Sequence, residues 1–279
     1  MRVTVARTLE EALADPQATL LGGGTDLMVA INFGRDRPEH IVSIRGLAEL
    51  GEVSVSSGFS CGGGVTYTRL VEALGESSPA LVQAARTIGS PQIRNAGTMG
   101  GNLGTCSPAG DTLPVLAALD ATVVLRSTAG LRRVPFAGFM FGPRQSERKP
   151  GEVVQAIEWD DAGPSQVFLK AGTRNAMVIA VANLAMVVDR ARRRVRGALG
   201  SVGPTIIRAT AAEELATGLF EESGWERPLR VDGPALARFG ELAAAAARPI
   251  DDQRGTARYR RHIVSVMARR ALARTGAAT

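Results

Sequence analysis

Ile93 to Leu116, IRNAGTMGGNLGTCSPAGDTLPVL, is the stretch on which the reading of this chain turns. Its first half carries a Gly-dense turn, Gly97 to Asn102 (GTMGGN). Consecutive glycines permit positive φ and leave backbone N–H groups uncovered, which is how a loop forms a nest for a phosphate. Its second half sets Asp111 just ahead of a helix around Pro114 to Leu119. Two more such turns lie upstream, Leu21 to Asp26 (LGGGTD) and Gly62 to Gly64. One Gly turn is usually plain chain reversal. Two that are flanked by compact polar side chains, Thr25-Asp26 and Asn102, point toward a dinucleotide. Neither Gly triplet fits G-x-G-x-x-G, since the sixth position is Leu27 in one and Tyr67 in the other, so a Rossmann site is not indicated.

Outward from that stretch, three textures separate. Residues 1–50 read as a small α/β unit: a strand Val3 to Val5, a helix near Leu9 to Ala14, a strand Ala18 to Leu21 running into the Gly turn, and a strand Ile41 to Ile44. Residues 51–163 carry strands at Val53 to Phe59, Thr122 to Arg126 and Val153 to Trp159, with a helix opened by Ser78-Pro79. Leu131 to Pro150 reads as an irregular excursion. From 164 to 279 the pattern is an antiparallel meander (Val167 to Ala171, Val178 to Val188, Val195 to Leu199) followed by helices at Ala211 to Ala216, Ala235 to Ala246 and Gly255 to Ala273, a separate α+β domain.

Composition removes several kinds of chemistry. The chain has 279 residues with 2 Cys and 2 His, too few for a four-ligand zinc site or an iron–sulfur cluster. Neither Lys149 nor Lys170 follows a glycine, so no P-loop is present. Gly58-Phe-Ser60-Cys-Gly62 fits the nucleophile elbow of hydrolases, but that elbow needs a helix directly after its serine, and Gly62-Gly63-Gly64 follows instead. The longest apolar run, Ala176 to Val188, contains Asn183 and falls short of the roughly 20 residues that span a bilayer. Glu10, Glu11 and Asp15 precede any hydrophobic run, so the expected setting is cytoplasmic, with reduced cysteines. A net charge of +6 invites a nucleic-acid reading, but one Arg cluster, Arg190 to Arg196, sits where a hairpin turn belongs. The other, Arg254 to Arg274, reads as a helix with an apolar stripe of Tyr259, Ile263, Val266, Met267 and Leu272. Aromatics at 4% give no stacking platform, so the cations are assigned to solvated faces or a protein partner.

LLGGGTDLMVAI, GGGVTYTRL, the stretch through IRNAGTMGGNLGTCSPAGDTLPVL, PGEVVQAIEW, FLKAGTRNAMVIAVAN and RGTARYRRHIVSVMARRAL resemble, in that order, the FAD-binding medium subunit of the molybdenum hydroxylases. That family includes xanthine dehydrogenase and carbon monoxide dehydrogenase. The resemblance implies an α+β chain: a two-subdomain FAD-binding fold of the vanillyl-alcohol-oxidase (PCMH) type, residues 1–50 and 51–163, followed by a C-terminal α+β domain of antiparallel sheet plus helices, residues 164–279.

Matched residue by residue, it implies that Leu20, Leu21, Gly22, Gly23, Gly24, Thr25, Asp26 and Leu27 wrap the FAD pyrophosphate, and that Thr98, Met99, Gly100, Gly101 and Asn102 continue the cradle. Ile88 and Val154 match apolar FAD contacts, Asp111 an acidic position toward the adenosine ribose or nearby polar atoms, and Lys170 a lysine close to the isoalloxazine. Asp111 has a rival role as a helix N-cap, and the two can coexist. A cation beside the flavin raises its potential, whereas a lysine in an apolar strand otherwise needs a partner or snorkels to solvent. Cys106 reads as a small space-filler.

The function implied is the electron-transfer subunit of a heterotrimer. A large molybdopterin subunit hydroxylates the substrate, a small subunit with 2Fe-2S clusters relays electrons, and this chain's FAD passes them to NAD+, oxygen or a quinone, the complex being a dimer of heterotrimers. The GGGTDL loop is closer to purine-type dehydrogenases and favours an N-heterocycle or another substrate other than carbon monoxide for the complex. The competing reading is a stand-alone FAD-dependent oxidoreductase acting directly on a small substrate. No catalytic side chain and no metal ligand is expected in this chain.

Overall fold

The computed structural model describes residues 1–56 and 58–277. The chain runs β1 (Arg2–Val5), α1 (Leu9–Leu13), β2 (Thr19–Leu21), α2 (Leu27–Asn32), β3 (His40–Ser43), β4 (Val53–Val55), β5 (Phe59–Gly62), α3 (Tyr67–Leu74), α4 (Pro79–Thr87), α5 (Pro91–Ala96), α6 (Met99–Thr105) and α7 (Thr112–Ala118). It continues through β6 (Thr122–Ser127), β7 (Gly130–Pro135), β8 (Met140–Gly142), β9 (Gln145–Ser146), β10 (Val153–Trp159), β11 (Gln166–Ala171), β12 (Ala182–Asp189), β13 (Arg194–Gly200) and β14 (Ile207–Arg208). Three helices close it: α8 (Thr210–Ser223), α9 (Gly233–Ala246) and α10 (Ala257–Ala277). These form two compact units.

The first unit comprises Met1–Ala73, Gly89–Ser107 and Ala121–Asp160. It holds a parallel sheet in the order β1-β3-β2 and an antiparallel sheet in the order β4-β5-β10-β6-β7. The parallel sheet arises because each strand is separated from the next by helical crossover chain, α1 or α2. Val42 of β3 shares a buried core with Ala12 and Leu13 of α1 and with Leu50. Where an irregular excursion was expected, β7 pairs with β6 over Gly130–Pro135, and β8 and β9 form a short hairpin. The Arg-rich pattern there hid the strand, because Arg132 is spent on an internal ion pair: its Nε donates to Glu152 Oε1 at 2.6 Å and Nη2 to Oε2 at 2.9 Å.

The second unit comprises Leu74–Ile88, Pro108–Asp120 and the chain from Asp161 on. Its sheet is an antiparallel meander, β11-β12-β13-β14. Every residue of β12 is buried, with helices packed on the sheet. Its core joins Leu184, Met186 and Leu199 to Phe220, Phe239, Val264 and Leu272. The turn between β12 and β13 falls in the Arg190–Arg196 cluster, as its position between two apolar runs predicts. On α10 the buried face differs from the expected stripe. Tyr259 is exposed, and Arg260, Val264, Met267, Ala268, Ala271 and Leu272 turn inward. Arg260 enters the core because its guanidinium meets acceptors there: Val181 O at 2.8 Å, Ser201 O at 2.6 Å and Asp252 Oδ1 at 2.6 Å.

Candidate functional site

In the first unit, β2 ends at Leu21 on the edge of the parallel sheet, and the chain turns through Gly22 to Asp26 before α2. Gly24 carries the turn with φ +71°, a left-handed conformation that glycine adopts without strain. Gly23 lies so close to the end of α5 that a Cβ would stand 1.9 Å from Ala96 O. Among the described residues, the amides of Gly22, Gly23, Gly24, Thr25 and Asp26 donate to no protein acceptor. Four of these donors, Gly22 to Thr25, lie on half-buried residues and Asp26 is exposed; such a run calls for a ligand or water, because buried backbone polar groups left unmatched cost free energy.

The second Gly-dense segment is not a loop but the first turn of α6. Three glycines in a short helix weaken it by roughly 1 kcal/mol each relative to Ala, so it needs tertiary support. Thr98 caps it, its Oγ1 accepting from Gly101 N at 3.0 Å. Met99 N donates to Val65 O at 3.0 Å, Gly100 N to Gly63 O at 2.8 Å and Asn102 N to Thr98 O at 3.0 Å. The amides of this turn are therefore occupied, and the open donors belong to the first loop. What the turn offers is bare backbone surface: a Cβ on Gly22 would meet Thr98 Oγ1 at 3.3 Å and one on Gly101 would meet the same atom at 3.0 Å. Gly22 and Gly101 thus flank one hydroxyl, and Gly101 is exposed.

Gly62 to Gly64 has a different role. A Cβ on Gly62 would lie 2.3 Å from Leu50 O and one on Gly63 would lie 2.0 Å from Val154 O, so the triplet is a crossing point of packed backbones. Val154 is buried on β10 beside it. Ser60 sits inside β5, paired with Ser54 and Glu158, with no helix after it, which excludes the hydrolase elbow.

In the second unit, Lys170 on β11 and Asp111 at the start of α7 are brought into direct contact, Nζ to Oδ2 at 2.5 Å. Lys170 Nζ also lies 3.3 Å from Thr87 O. Asn183 Nδ2 donates to Asp111 Oδ1 at 2.9 Å, and the Thr87 hydroxyl stands 3.1 Å from Oδ2. The lysine side chain is 10% exposed and the aspartate 5%, so the snorkelling alternative does not hold. Asp111 stands at the N-cap position of α7 as expected, but its carboxylate makes no cap bond and is spent on Lys170, Asn183 and Thr87 instead. Burial pushes the Asp111 carboxyl above its ordinary pKa, opposed by the Lys170 ammonium and by hydrogen bonds from Lys170, Asn183 and Thr87. Ile88 follows Thr87 as the extended residue that ends α4. Asn183 and Thr87 were not singled out in the sequence. The signal for Asn183 was present, a polar residue inside the otherwise apolar run from Ala182 to Val188, which must find a partner.

Two further groups are removed as chemistry. Cys61 and Cys106 are both buried, and burial pushes their thiols up to about 12 and about 11. His40 is tied to Asp15 at 2.7 Å. Among the described residues, no group of His, Cys, Asp and Glu could hold a metal ion, and no helix is long and apolar enough to cross a membrane.

A family model described as the FAD binding domain in molybdopterin dehydrogenase matches residues 1–159, and one described as the CO dehydrogenase flavoprotein C-terminal domain matches residues 167–275. The chain belongs to the FAD-binding subunits of the molybdopterin dehydrogenases. The xanthine dehydrogenase FAD-binding subunit of Escherichia coli O157:H7 is 31% identical over 287 residues, covering 98% of this chain and 95% of the relative. The nicotinate dehydrogenase FAD-subunit of Eubacterium barkeri is 34% identical over 237 residues, covering 76% and 78%. Among solved structures, a chain of the carbon monoxide dehydrogenase from Hydrogenophaga pseudoflava aligns over 100% of this chain and 98% of its own, with TM-score 0.87 and 26% identity. As a molybdopterin-dehydrogenase flavoprotein the chain is an oxidoreductase component with FAD as its cofactor, built on the expected α+β FAD-binding fold. The residues present fit that cofactor: unpaired amides beside bare glycine surface suit a pyrophosphate.

Proposed function

We propose that the amides of the Leu20 to Leu27 loop bind the FAD pyrophosphate, with Thr98 to Asn102 forming a glycine floor that lets phosphate oxygens approach backbone. The observation that carries this is the run of five unpaired amides from Gly22 to Asp26. Ile88 and Val154 supply apolar contacts, and Asp111 and Lys170 supply polar ones. Residues 1–50 and 51–163 act as the two FAD-binding subdomains and 164–279 as the C-terminal domain. FAD, when bound, supplies a store that accepts electrons singly and yields them in pairs. The chain's own residues hold and orient it. Lys170 brings a counter-ion with it, so its electrostatic effect on the cofactor is that of a pair, weaker than that of a lone cation.

In this reading the chain is the electron-transfer subunit of a heterotrimer, assembled as a dimer of heterotrimers in the cytoplasm. A small subunit with 2Fe-2S clusters delivers electrons from a large molybdopterin subunit, and NAD+, oxygen or a quinone receives them. Curated relatives named as FAD subunits and medium chains of dehydrogenases support it. The test is the visible spectrum of the purified chain with quantitation of released FAD. One FAD per chain is expected, and folded protein that stays colourless in excess FAD sinks the proposal. Purification with native neighbours should bring molybdenum and iron along; a chain that purifies alone and oxidises a small substrate directly would establish the stand-alone reading.

A further inference from the structure

Asn183 is fully buried on β12, and one of its amide atoms, Nδ2, is spent on Asp111. The other, Oδ1, is buried with no donor among the described residues, so the side chain is kept for the Nδ2 bond alone. The fold makes room for it. Gly200 stands opposite Asn183 on β13, and a Cβ there would lie 2.1 Å from Asn183 Oδ1, while Pro108 O would be 3.2 Å away. A methyl at 200 would therefore meet chiefly the far end of the carboxamide. Thr87 gives lesser support, sharing its one hydroxyl proton between Asp111 Oδ2 and Ala84 O at 2.8 Å. Lys170 Nζ, Asn183 Nδ2 and the Thr87 hydroxyl together present donors to both carboxylate oxygens, a set complementary to an anion. The charged group facing Asp111 is Lys170 on β11; α4, β12 and β13 bring Thr87, Asn183 and Gly200, none of which titrates.

We propose that Asn183, given its room by Gly200, is a positioning residue for the flavin site: it orients the Asp111 carboxylate onto Lys170 and so sets how fully the lysine's charge is compensated where FAD binds. The proposal rests on the reading that Asp111 and Lys170 contact FAD. A carboxylate that keeps its hydrogen bonds stays anionic and close to the ammonium. One that loses a donor draws back or takes up a proton, and the ammonium then acts as a less compensated cation, favouring negative charge on reduced flavin.

The experiment is the midpoint potential of FAD bound to the full chain, measured for the unsubstituted protein, Asn183→Leu, Gly200→Ala and Asp111→Asn. All three variants should shift the potential upward, Asp111→Asn most, with FAD still bound in the first two. Should Asn183→Leu fail to fold, Gly200→Ala decides alone, because it displaces the carboxamide without deleting it. Potentials in Asn183→Leu and Gly200→Ala equal to that of the parent, while Asp111→Asn shifts, overturn the role of Asn183. An unmoved potential in Asp111→Asn with FAD bound overturns the proposal at its footing, the facing of the pair toward flavin. A parent chain that takes up no FAD overturns the underlying site reading itself.

Discussion

At the scale of single residues, glycines of like appearance have opposite duties. Gly23 is a packing glycine whose Cβ would invade a backbone carbonyl, so Gly23→Ala should cost about 1 to 3 kcal/mol or more in urea unfolding of the apo chain. Gly101 is exposed and would meet only the Thr98 hydroxyl, so Gly101→Val should leave apo stability within about 1 kcal/mol while abolishing FAD retention. Full flavin occupancy in Gly101→Val would show the pyrophosphate floor to be elsewhere. Lys170→Met leaves a buried carboxylate without its counter-ion and should cost about 3 to 5 kcal/mol, with Lys170→Met/Asp111→Leu recovering much of the loss. The thiols of Cys61 and Cys106, held at about 12 and about 11 by burial, stay protonated at pH 8. A thiol reagent should therefore label neither until denaturant opens the fold, and fast labelling of either would contradict the burial.

At the scale of elements, the antiparallel sheet of the first unit is braced by an ion pair between β7 and the start of β10. Glu152, at the entrance to β10, accepts from Arg132 on β7 and from Lys149 N at 2.7 Å. Burial works to raise its pKa, but Arg132 and the Lys149 amide overcome it and hold the carboxyl below its ordinary value. A carboxylate with a depressed pKa contributes stability that is present above its unfolded pKa and is lost as pH falls through the folded one. Glu152→Gln should thus cost about 1 to 3 kcal/mol at neutral pH, and the two unfolding curves should converge in acid below the usual glutamate range. A constant difference across pH would remove the ion pair from the account. Elements were legible wherever hydrophobic period and start signals agreed, as in β10, β11 and α9. They were misread where a local rule was overruled from a distance. GTMGGN looks like a turn because glycine is a poor helix former, yet Thr98, Gly63 and Val65 make it the start of α6. The Arg-rich stretch after Leu131 looks irregular because its strand charges are matched by Glu152 and Glu158, remote in sequence.

At the scale of the whole molecule, the +6 charge is less available than composition suggests. Arg132, Arg208 and Arg260 are engaged with carboxylates or carbonyls inside the fold, and Arg190 lies over the Phe220 ring with a hydrogen bond to Trp225 O. The chain should therefore leave a short DNA duplex unshifted at about 0.15 M salt, and tight, salt-sensitive binding would contradict this. The sequence by itself determined the family, the FAD cofactor and the α+β class, because glycine-rich loops and alternating strands are local patterns that survive divergence. It also marked Lys170 and Asp111 as unusual. Only the tertiary structure decided that the two form one ion pair with Asn183 and Thr87, that the first glycine loop keeps its amides open, and that the others spend theirs on neighbouring backbone and the Thr98 hydroxyl. The physical reason is the same in each case: whether a polar group is free or satisfied depends on which distant atom stands within 3 Å of it, and no local pattern encodes that distance.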